Sequence, residues 1–189
     1  MEKLSAIIKE STRAHHQETE KKVVLRIKNI RNNEDYAALL KCFYAYFGAV
    51  EKAIAPYIND ILPDYAERRD SSFIRKDIEA LGGSTENLPR AIAPAIANGV
   101  QAMGALYVLE GSIMGGPYIV QMLQKKGIDK GFDFFGGYGE GSAGKWAAFT
   151  EVLDNLPGSS EEQDMAVRTA SETFKRFGDV FDEVAVTGI

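Results

Sequence analysis

Histidine is the residue type that most restricts the chemistry open to this 189-residue chain. The sequence contains two histidines, the adjacent pair His15 and His16 near the N-terminus. A multi-histidine zinc site is therefore excluded, and neither a C-x-x-C nor an H-E-x-x-H pattern occurs. Any metal or acid–base chemistry that needs an imidazole must use one member of this pair.

The two histidines lie on different faces of a predicted first helix, which runs from Lys3 to Lys28. At about 100° per residue, His15 falls on the apolar stripe of this helix, whereas His16 is turned roughly 100° away. His16 shares its flank with Lys9 and Arg13, which precede it by seven and three residues. An imidazole beside two cations suits a planar dianion that has a metal at its centre and two carboxylates at its edge. Ordinary solvated surface is the more common interpretation of such a flank.

A second group of interest is the segment GSIMGG, from Gly111 to Gly116. Three glycines within six residues, followed by Pro117, weaken a helix, since a mid-helix glycine costs roughly 1 kcal/mol relative to alanine. Close approach of the backbone to a flat ligand would offset that cost. Tight packing against another helix, through small residues such as Gly104 and Gly115, would offset it equally well, and the sequence leaves both alternatives open.

Two further residues could carry chemistry on their own. Glu110 lies inside an apolar segment, where a buried carboxylate could act as a general acid with a raised pKa. An ion pair with a lysine or arginine at a helix end is the favoured interpretation. Cys42 lies in the apolar stretch LLKCFYAYF and is predicted to be buried filler, and a single cysteine excludes an intramolecular disulfide.

The elements that must position these residues are predicted to be helices within one domain, residues 1–189. Residues typical of helix starts and ends recur along the chain, and no segment shows the strict apolar–polar alternation of half-buried strands. After the first helix, we expect four more before the last. The second runs from Asp35 to near Pro56 with Asn33 as N-cap, and the third follows Asp70 and stops at Gly82-Gly83, a pair suited to the left-handed conformation of a helix C-terminus. The fourth is long, breaks at Gly115-Gly116-Pro117 and resumes until Gly127, and the fifth runs from about Trp146 to Leu156.

The remaining segments are predicted from their turn chemistry. Residues 127–144 form a glycine-rich loop with embedded aromatics, which we expect to be too polar for a core element. Ser159 and Glu162 form a capping-box pattern that opens the last long helix.

Composition limits the class of partner. A formal net charge of −5 gives no basic footprint, which argues against nucleic acid or an anionic membrane and favours a small ligand. The apolar segment from Ala102 to Leu123 contains Glu110, several glycines and Pro117, so we expect a buried core helix and no membrane insertion. The N-terminus lacks the apolar core of a signal peptide, so a cytoplasmic location is expected.

Two motifs together resemble the heme oxygenase family. Lys9 to His16, with sequence KESTRAHH, is similar to the family pattern K/R-E-A-T-x-x-x-H on the first helix, and LYVLEGSIMGG from Leu106 to Gly116 is similar to the glycine-rich, kinked distal helix. The stretches RxxxFIRKDIEALG, ending at Gly82, and FFGGYGEGSAGKW, ending at Trp146, resemble the bacterial, bacteriophytochrome-associated branch. The resemblance is colinear over nearly the whole chain and implies a single-domain heme-oxygenase-like helical bundle.

The resemblance also implies roles for individual residues. The register makes His16 the proximal ligand of the heme iron and directs Lys9 and Arg13 toward the heme propionates. Ser112 stands where animal-type members have an aspartate, so it is expected to support the distal water network with a hydroxyl instead of a carboxylate. The residues expected in the distal heme pocket are Gly111, Ser112, Gly115 and Gly116.

The implied activity is the cleavage of heme to biliverdin, carbon monoxide and ferrous iron, with heme as both cofactor and substrate. The implied reaction also requires dioxygen. The electrons must come from an external donor such as a ferredoxin or a reductase, because the chain has no flavin or nicotinamide motif. Two alternatives stay open: a non-catalytic heme carrier or sensor of the same fold, and a heme-free enzyme such as a thiamin-pyrimidine hydrolase. The second would need a cysteine nucleophile, for which Cys42 is a poor candidate.

Overall fold

The computed structural model describes residues 2–187, and the side chains of residues 2–182. Over residues 2–187 it contains seven α-helices and no β-strand, which confirms the predicted all-α class. The helices are α1 (Leu4–Ser11), α2 (Arg13–Lys28), α3 (Asn33–Ile58), α4 (Ser71–Ala80), α5 (Gly99–Lys125), α6 (Ser142–Asp154) and α7 (Ser160–Thr187). No helix of the described part is long and apolar enough to cross a membrane.

The predicted first helix is two helices, because the chain turns at Thr12. Thr12 has φ −99° and ψ 1°, and its buried hydroxyl donates to the carbonyl oxygen of Ile8 at 2.7 Å. A threonine hydroxyl that bonds the backbone of the preceding turn competes with regular helix geometry. The turn separates Lys9, on α1, from His16, on α2, so the orientation of one relative to the other depends on tertiary packing.

Local capping chemistry fixes the ends of several helices. The N-cap of α3 is Asn32, not Asn33 as predicted, because the Asn32 side chain accepts from the backbone N–H of Asp35 at 2.8 Å. The helix α4 follows Asp70 as predicted, and Asp70 caps it by accepting from the N–H of Ser72 at 2.9 Å. The helix α3 also runs two residues past Pro56, to Ile58.

Two predicted helix boundaries are confirmed: the end of α4 at Gly82 and the start of α7 at the Ser159–Glu162 capping box. Gly82 follows α4 with φ +82°, the left-handed conformation that glycine adopts at low cost. Before α7, the N–H of Ser159 donates to the Glu162 carboxylate at 2.7 Å, and the N–H of Glu162 donates to the Ser159 hydroxyl at 3.3 Å.

The helix α5 is the central element of the bundle and is continuous from Gly99 to Lys125. Contrary to the prediction, it does not break at Gly115-Gly116-Pro117: the helix continues through Pro117, whose side chain is exposed. It packs against α3, α6 and α7, while α2 lies along α7 and α4 lies on α3.

The segment between α5 and α6 supplies core residues, contrary to the sequence-based expectation. Phe134 and Phe135 are fully buried and pack edge-to-face on Phe43, at ring-centroid distances of 6.1 and 5.2 Å. The Asp77 carboxylate on α4 holds this segment by accepting from the N–H groups of Asp133 and Phe134 at 3.0 and 2.9 Å. Glycines on either side give the chain the turns that let two phenylalanines reach the core.

Candidate functional site

A cavity of about 650 Å³ lies between α2, α5 and α7, with contributions from α1, α3, α6 and the segment before α6. Its size falls within the roughly 300–1,000 Å³ of typical cofactor sites. Most of its lining is aliphatic or aromatic, and the polar groups are few and concentrated on α1, α2 and one turn of α5. Such a cavity suits a large, flat, mostly apolar ligand that carries a small number of polar groups.

His16 lies on the cavity wall. Its side chain is about half exposed, its Nε2 is 2.9 Å from the Glu20 carboxylate, and its ring stacks on Phe174. His15 does not line the cavity and is partly buried, although helix phase alone placed it in the core. Of the two histidines, the structure therefore brings His16 to the cavity.

The two cations on the His16 flank are placed differently. Lys9 lines the cavity. Arg13 does not line it: its side chain is 61% exposed, and its guanidinium pairs with the Glu10 carboxylate. The turn at Thr12 lies between Lys9 on α1 and the other two residues on α2, so the three residues do not share one straight helix face.

The glycines of α5 have two separate roles. Gly111 and Gly115 line the cavity, and a Cβ at Gly115 would meet no atom within 4 Å. Gly116 does not line it: a Cβ there would lie 2.0 Å from the carbonyl oxygen of Phe135, so this glycine permits close packing of the segment before α6. Gly104 packs against Ala166 of α7 in the same way. Tight packing, one of the two alternatives left open by the sequence, is therefore found at Gly104 and Gly116, whereas Gly111 and Gly115 face the cavity.

Ser112 lines the cavity and is held by a buried arginine. The Ser112 hydroxyl donates to the carbonyl oxygen of Leu109 at 2.6 Å and accepts from Arg69 Nη2. Arg69 also donates to the carbonyl oxygen of Phe134 and stacks on its ring at 4.0 Å. Burial lowers the pKa of the Arg69 guanidinium to about 10, a shift that the nearby Glu110 carboxylate opposes. One lone pair of the Ser112 hydroxyl is left to accept a hydrogen bond.

Glu110 forms the ion pair that was predicted, but in the middle of α5 and not at a helix end. Its carboxylate lies 2.7 Å from Arg68 Nη1, and both side chains are almost completely buried. Tyr138 donates to the same carboxylate at 3.2 Å, and its hydroxyl accepts from the backbone N–H of Arg69. Burial first, and the Glu110 charge second, raise the pKa of Tyr138 to about 12, so it stays a neutral donor at physiological pH.

Neither Arg68 nor Arg69 is predicted from the sequence, because two arginines ahead of a helix start are typical of ordinary surface residues. Arg69 opens the RxxxFIRKDIEALG stretch, which could have drawn attention to it, but its contact with a distant helix has no local signature in the sequence. Cys42 is buried as predicted, burial raises the pKa of its thiol, and it does not line the cavity. A cysteine-based hydrolase mechanism in this cavity is therefore not supported.

The fold and the cavity indicate an all-helical protein that binds a cofactor-sized ligand. One histidine lines the cavity, and a glycine-containing helix borders it. The family profile described as heme oxygenase matches residues 2–183, and this chain belongs to the heme oxygenase family.

Similar sequences come from bacteria. Heme oxygenase PigA of Pseudomonas aeruginosa is 27% identical over 128 residues, which is 65% of this chain and 63% of PigA. A heme oxygenase of Xanthomonas campestris is 26% identical over 147 residues, which is 76% of this chain and 87% of that protein. The chain thus matches slightly less than two thirds of the length of the Pseudomonas relative.

Solved structures share the fold. A heme oxygenase of Neisseria meningitidis superposes with a TM-score of 0.83 at 24% identity, covering 97% of this chain and 92% of that one. Heme oxygenase-1 of the cyanobacterium Synechocystis, solved in complex with heme, gives a TM-score of 0.75 at 15% identity, covering 98% and 94%. These relatives are all called heme oxygenases, so the comparisons do not favour a non-catalytic carrier or sensor.

Proposed function

We propose that this chain is a heme oxygenase, which cleaves heme with dioxygen and external electrons to biliverdin, carbon monoxide and ferrous iron. The observation that supports the proposal is that His16 of α2 and the glycine-containing turn of α5, residues Gly111 to Gly115, line one cavity within a heme oxygenase fold. The single domain of residues 1–189 and the cytoplasmic location stay predictions.

The cavity fits a heme in both size and donor set. It offers about 650 Å³ with a mostly apolar lining, one imidazole and the ammonium of Lys9. A heme iron needs a single protein ligand on one face, which one histidine supplies. The open space beside Gly115 lets the backbone of α5 come close to a flat ring, where any side chain would occupy the room.

His16 is the proposed iron ligand, and Lys9 the proposed partner of a propionate. When bound, heme supplies the iron and the ring carbon that is opened, and the protein supplies orientation and local electrostatics. Arg13 can serve the second propionate only if its side chain leaves Glu10, which is possible because this pair is exposed and therefore weak.

Ser112 is the proposed distal polar residue, and Arg69 holds it in place. Because the Ser112 hydroxyl already donates to Leu109, it is arranged to accept from a water molecule and so to order water beside the ring. Gly111 and Gly115 form the close backbone wall, whereas we assign Gly116 to packing. Electrons come from a separate ferredoxin or reductase, since the sequence contains no flavin or nicotinamide motif.

Hemin titration of the wild type, His16→Ala and His15→Ala tests the ligand assignment. Trp146 is the only tryptophan and lines the cavity, so hemin binding should quench its fluorescence while a Soret band develops. We expect His15→Ala to keep the histidine-ligated spectrum and His16→Ala to lose it. The reverse result would contradict the proposed register.

Turnover is tested separately on the wild-type hemin complex, with ascorbate or a ferredoxin system as reductant. We expect the Soret band to decay as biliverdin absorption and the carbon monoxide adduct of unreacted ferrous heme develop. A Soret band that persists under reduction in air would contradict the enzymatic proposal and leave a heme-binding protein.

A further inference from the structure

The His16 ring is fixed from one face by an aromatic residue of another helix. The centroids of the His16 and Phe174 rings are 4.8 Å apart, and the ring planes differ by only 17°. Offset or parallel stacking at this distance is favourable by about 0.5–1.5 kcal/mol. Rotation of the imidazole out of this plane would drive its edge into the Phe174 ring.

Phe174 is itself held tightly. It is 7% exposed, and its carbonyl oxygen accepts from the buried Thr19 hydroxyl of α2 at 3.1 Å. The neighbouring carbonyl oxygen of Thr173 accepts from the Tyr46 hydroxyl of α3 at 2.6 Å. Side chains from α2 and α3 thus fix two consecutive residues of α7 at the level of His16.

Thr19 links the two sides of this contact. Its hydroxyl lies 2.9 Å from the carbonyl oxygen of His15 and 3.1 Å from that of Phe174, so it ties the turn of α2 that carries His16 to the turn of α7 that carries Phe174. The exposed Glu20 carboxylate approaches the edge of the His16 ring, whereas Phe174 covers its face. The two neighbours restrain different motions of the ring.

We infer that Phe174 is a positioning residue, which fixes the plane of the His16 imidazole by stacking on its face, with Thr19 setting the register of the two helices. The inference rests on the proposed role of His16 as the iron ligand. A ligand ring that is held before binding loses less rotational freedom on ligation, and its plane is set by the protein and not by the heme.

The first test uses the apoprotein, so that it does not depend on heme. The ring current of Phe174 should shift the proton resonances of the His16 ring upfield, and a His15→Gln variant assigns the two histidines. We expect Phe174→Leu to abolish the upfield shift and Phe174→Tyr to keep it. Wild-type His16 shifts in Phe174→Leu would overturn the inference at the level of the contact.

The second test uses the ferric cyanide complex with hemin, in which the pattern of heme methyl proton shifts reports the plane of the histidine ligand. We expect Phe174→Leu to change this pattern and to speed hemin dissociation by about two- to tenfold, the range that corresponds to one aromatic pair. Phe174→Tyr should restore the wild-type pattern. A wild-type pattern in Phe174→Leu would overturn the positioning role.

Phe181→Leu is the matched control, because Phe181 is a buried aromatic of α7 that packs on Phe43 and Phe177 and does not line the cavity. It should lower stability while leaving the methyl pattern unchanged. If Phe174→Leu does not fold, Phe174→Met replaces it, and Thr19→Val should alter the pattern with the stacking ring still present. A wild-type pattern in both of these variants would equally overturn the inference.

Failure of the proposed function has a different signature. If the apoprotein shows the stacked ring but His16→Ala keeps the histidine-ligated spectrum, the iron-ligand assignment fails while the contact stands. If the complex is histidine-ligated but its heme methyl pattern does not change in Phe174→Leu, the positioning role alone is contradicted.

Discussion

At the scale of the residue, a shift of one position along a helix changes whether a residue faces the cavity. His16 lines it and His15 does not, and the same contrast separates Gly115 from Gly116. Successive residues of a helix are turned by about 100°, so adjacent residues of one type meet different surroundings. Chemical type alone therefore assigns neither pair.

Alanine substitution should separate the two glycines. Gly116→Ala places a Cβ about 2.0 Å from the Phe135 carbonyl oxygen, so we expect a loss of about 1–3 kcal/mol in the free energy of unfolding. Gly115→Ala enters open space, so it should fold at least as stably as the wild type while binding hemin more weakly. Urea unfolding and hemin titration measure the two effects.

Each glycine variant is the control of the other. Equal destabilisation by both substitutions would contradict the packing role of Gly116. Unchanged hemin affinity in Gly115→Ala would show that α5 does not approach the ring at that residue.

At the scale of the element, α5 combines an apolar helix with one buried ion pair that joins it to the chain segment before α4. Glu110 on α5 meets Arg68, which also contacts Asp64 at 2.9 Å and donates to the carbonyl oxygen of Lys145 at the start of α6. The buried guanidinium thus connects three elements around the glycine-containing turn. The position of that turn depends on this network.

Removal of the Glu110 charge should be costly. Glu110→Gln leaves the Arg68 guanidinium, which is 1% exposed, without its buried counter-ion, and breaking such pairs typically costs 3–5 kcal/mol. We expect about 3 kcal/mol, measured by urea unfolding at pH 7. Asp64→Asn is the control, since the Asp64 side chain is 28% exposed and water can replace it, and it should cost under about 1 kcal/mol. Equal costs would contradict the central role of Glu110.

Asp64 should also leave a signature in acid. Burial acts to raise its pKa, but hydrogen bonds and charge from Arg68 and Lys145 outweigh burial, so the pKa of Asp64 lies below its ordinary value of 3.8. A carboxylate with a lowered folded-state pKa stabilises the fold above the unfolded-state pKa and loses this contribution as the pH falls. The stability gap between wild type and Asp64→Asn should therefore be constant near neutral pH and close below pH 3.8. A gap that widens in acid would contradict the assignment.

At the scale of the whole molecule, the cavity is built from helices that are distant in sequence. α1 and α2 supply Lys9 and His16, α5 supplies Ser112, and α7 supplies Phe174. A ligand that contacts all of them links the two ends of the chain. Binding should therefore stabilise the complete bundle and not one local segment.

Thermal unfolding measures this linkage. A ligand at 100 times its Kd adds about 2.7 kcal/mol, which for a domain of this size corresponds to a rise of about 5–10 °C in Tm. We expect that rise for wild type with hemin and a clearly smaller rise for His16→Ala at the same hemin concentration. Equal rises in the two proteins would indicate binding elsewhere on the surface.

The sequence by itself determined those features that depend on neighbouring residues. The start of α4 after Asp70, the left-handed Gly82 and the Ser159–Glu162 capping box each depend on a few consecutive residues, so the residue types predict them directly. The all-α class follows from the same local periodicity. The resemblance of two short motifs then indicated the family.

Only the tertiary structure decided the contacts between residues that are far apart in the chain. Arg69 pairs with Ser112, which is 43 positions away, and Phe174 stacks on His16 from the other end of the chain. Phe134 is buried by residues of distant helices. None of these contacts leaves a periodic pattern in the sequence. The continuity of α5 also depends on packing, since most local helix propensities differ by about 1 kcal/mol or less and burial of side chains along the helix outweighs them.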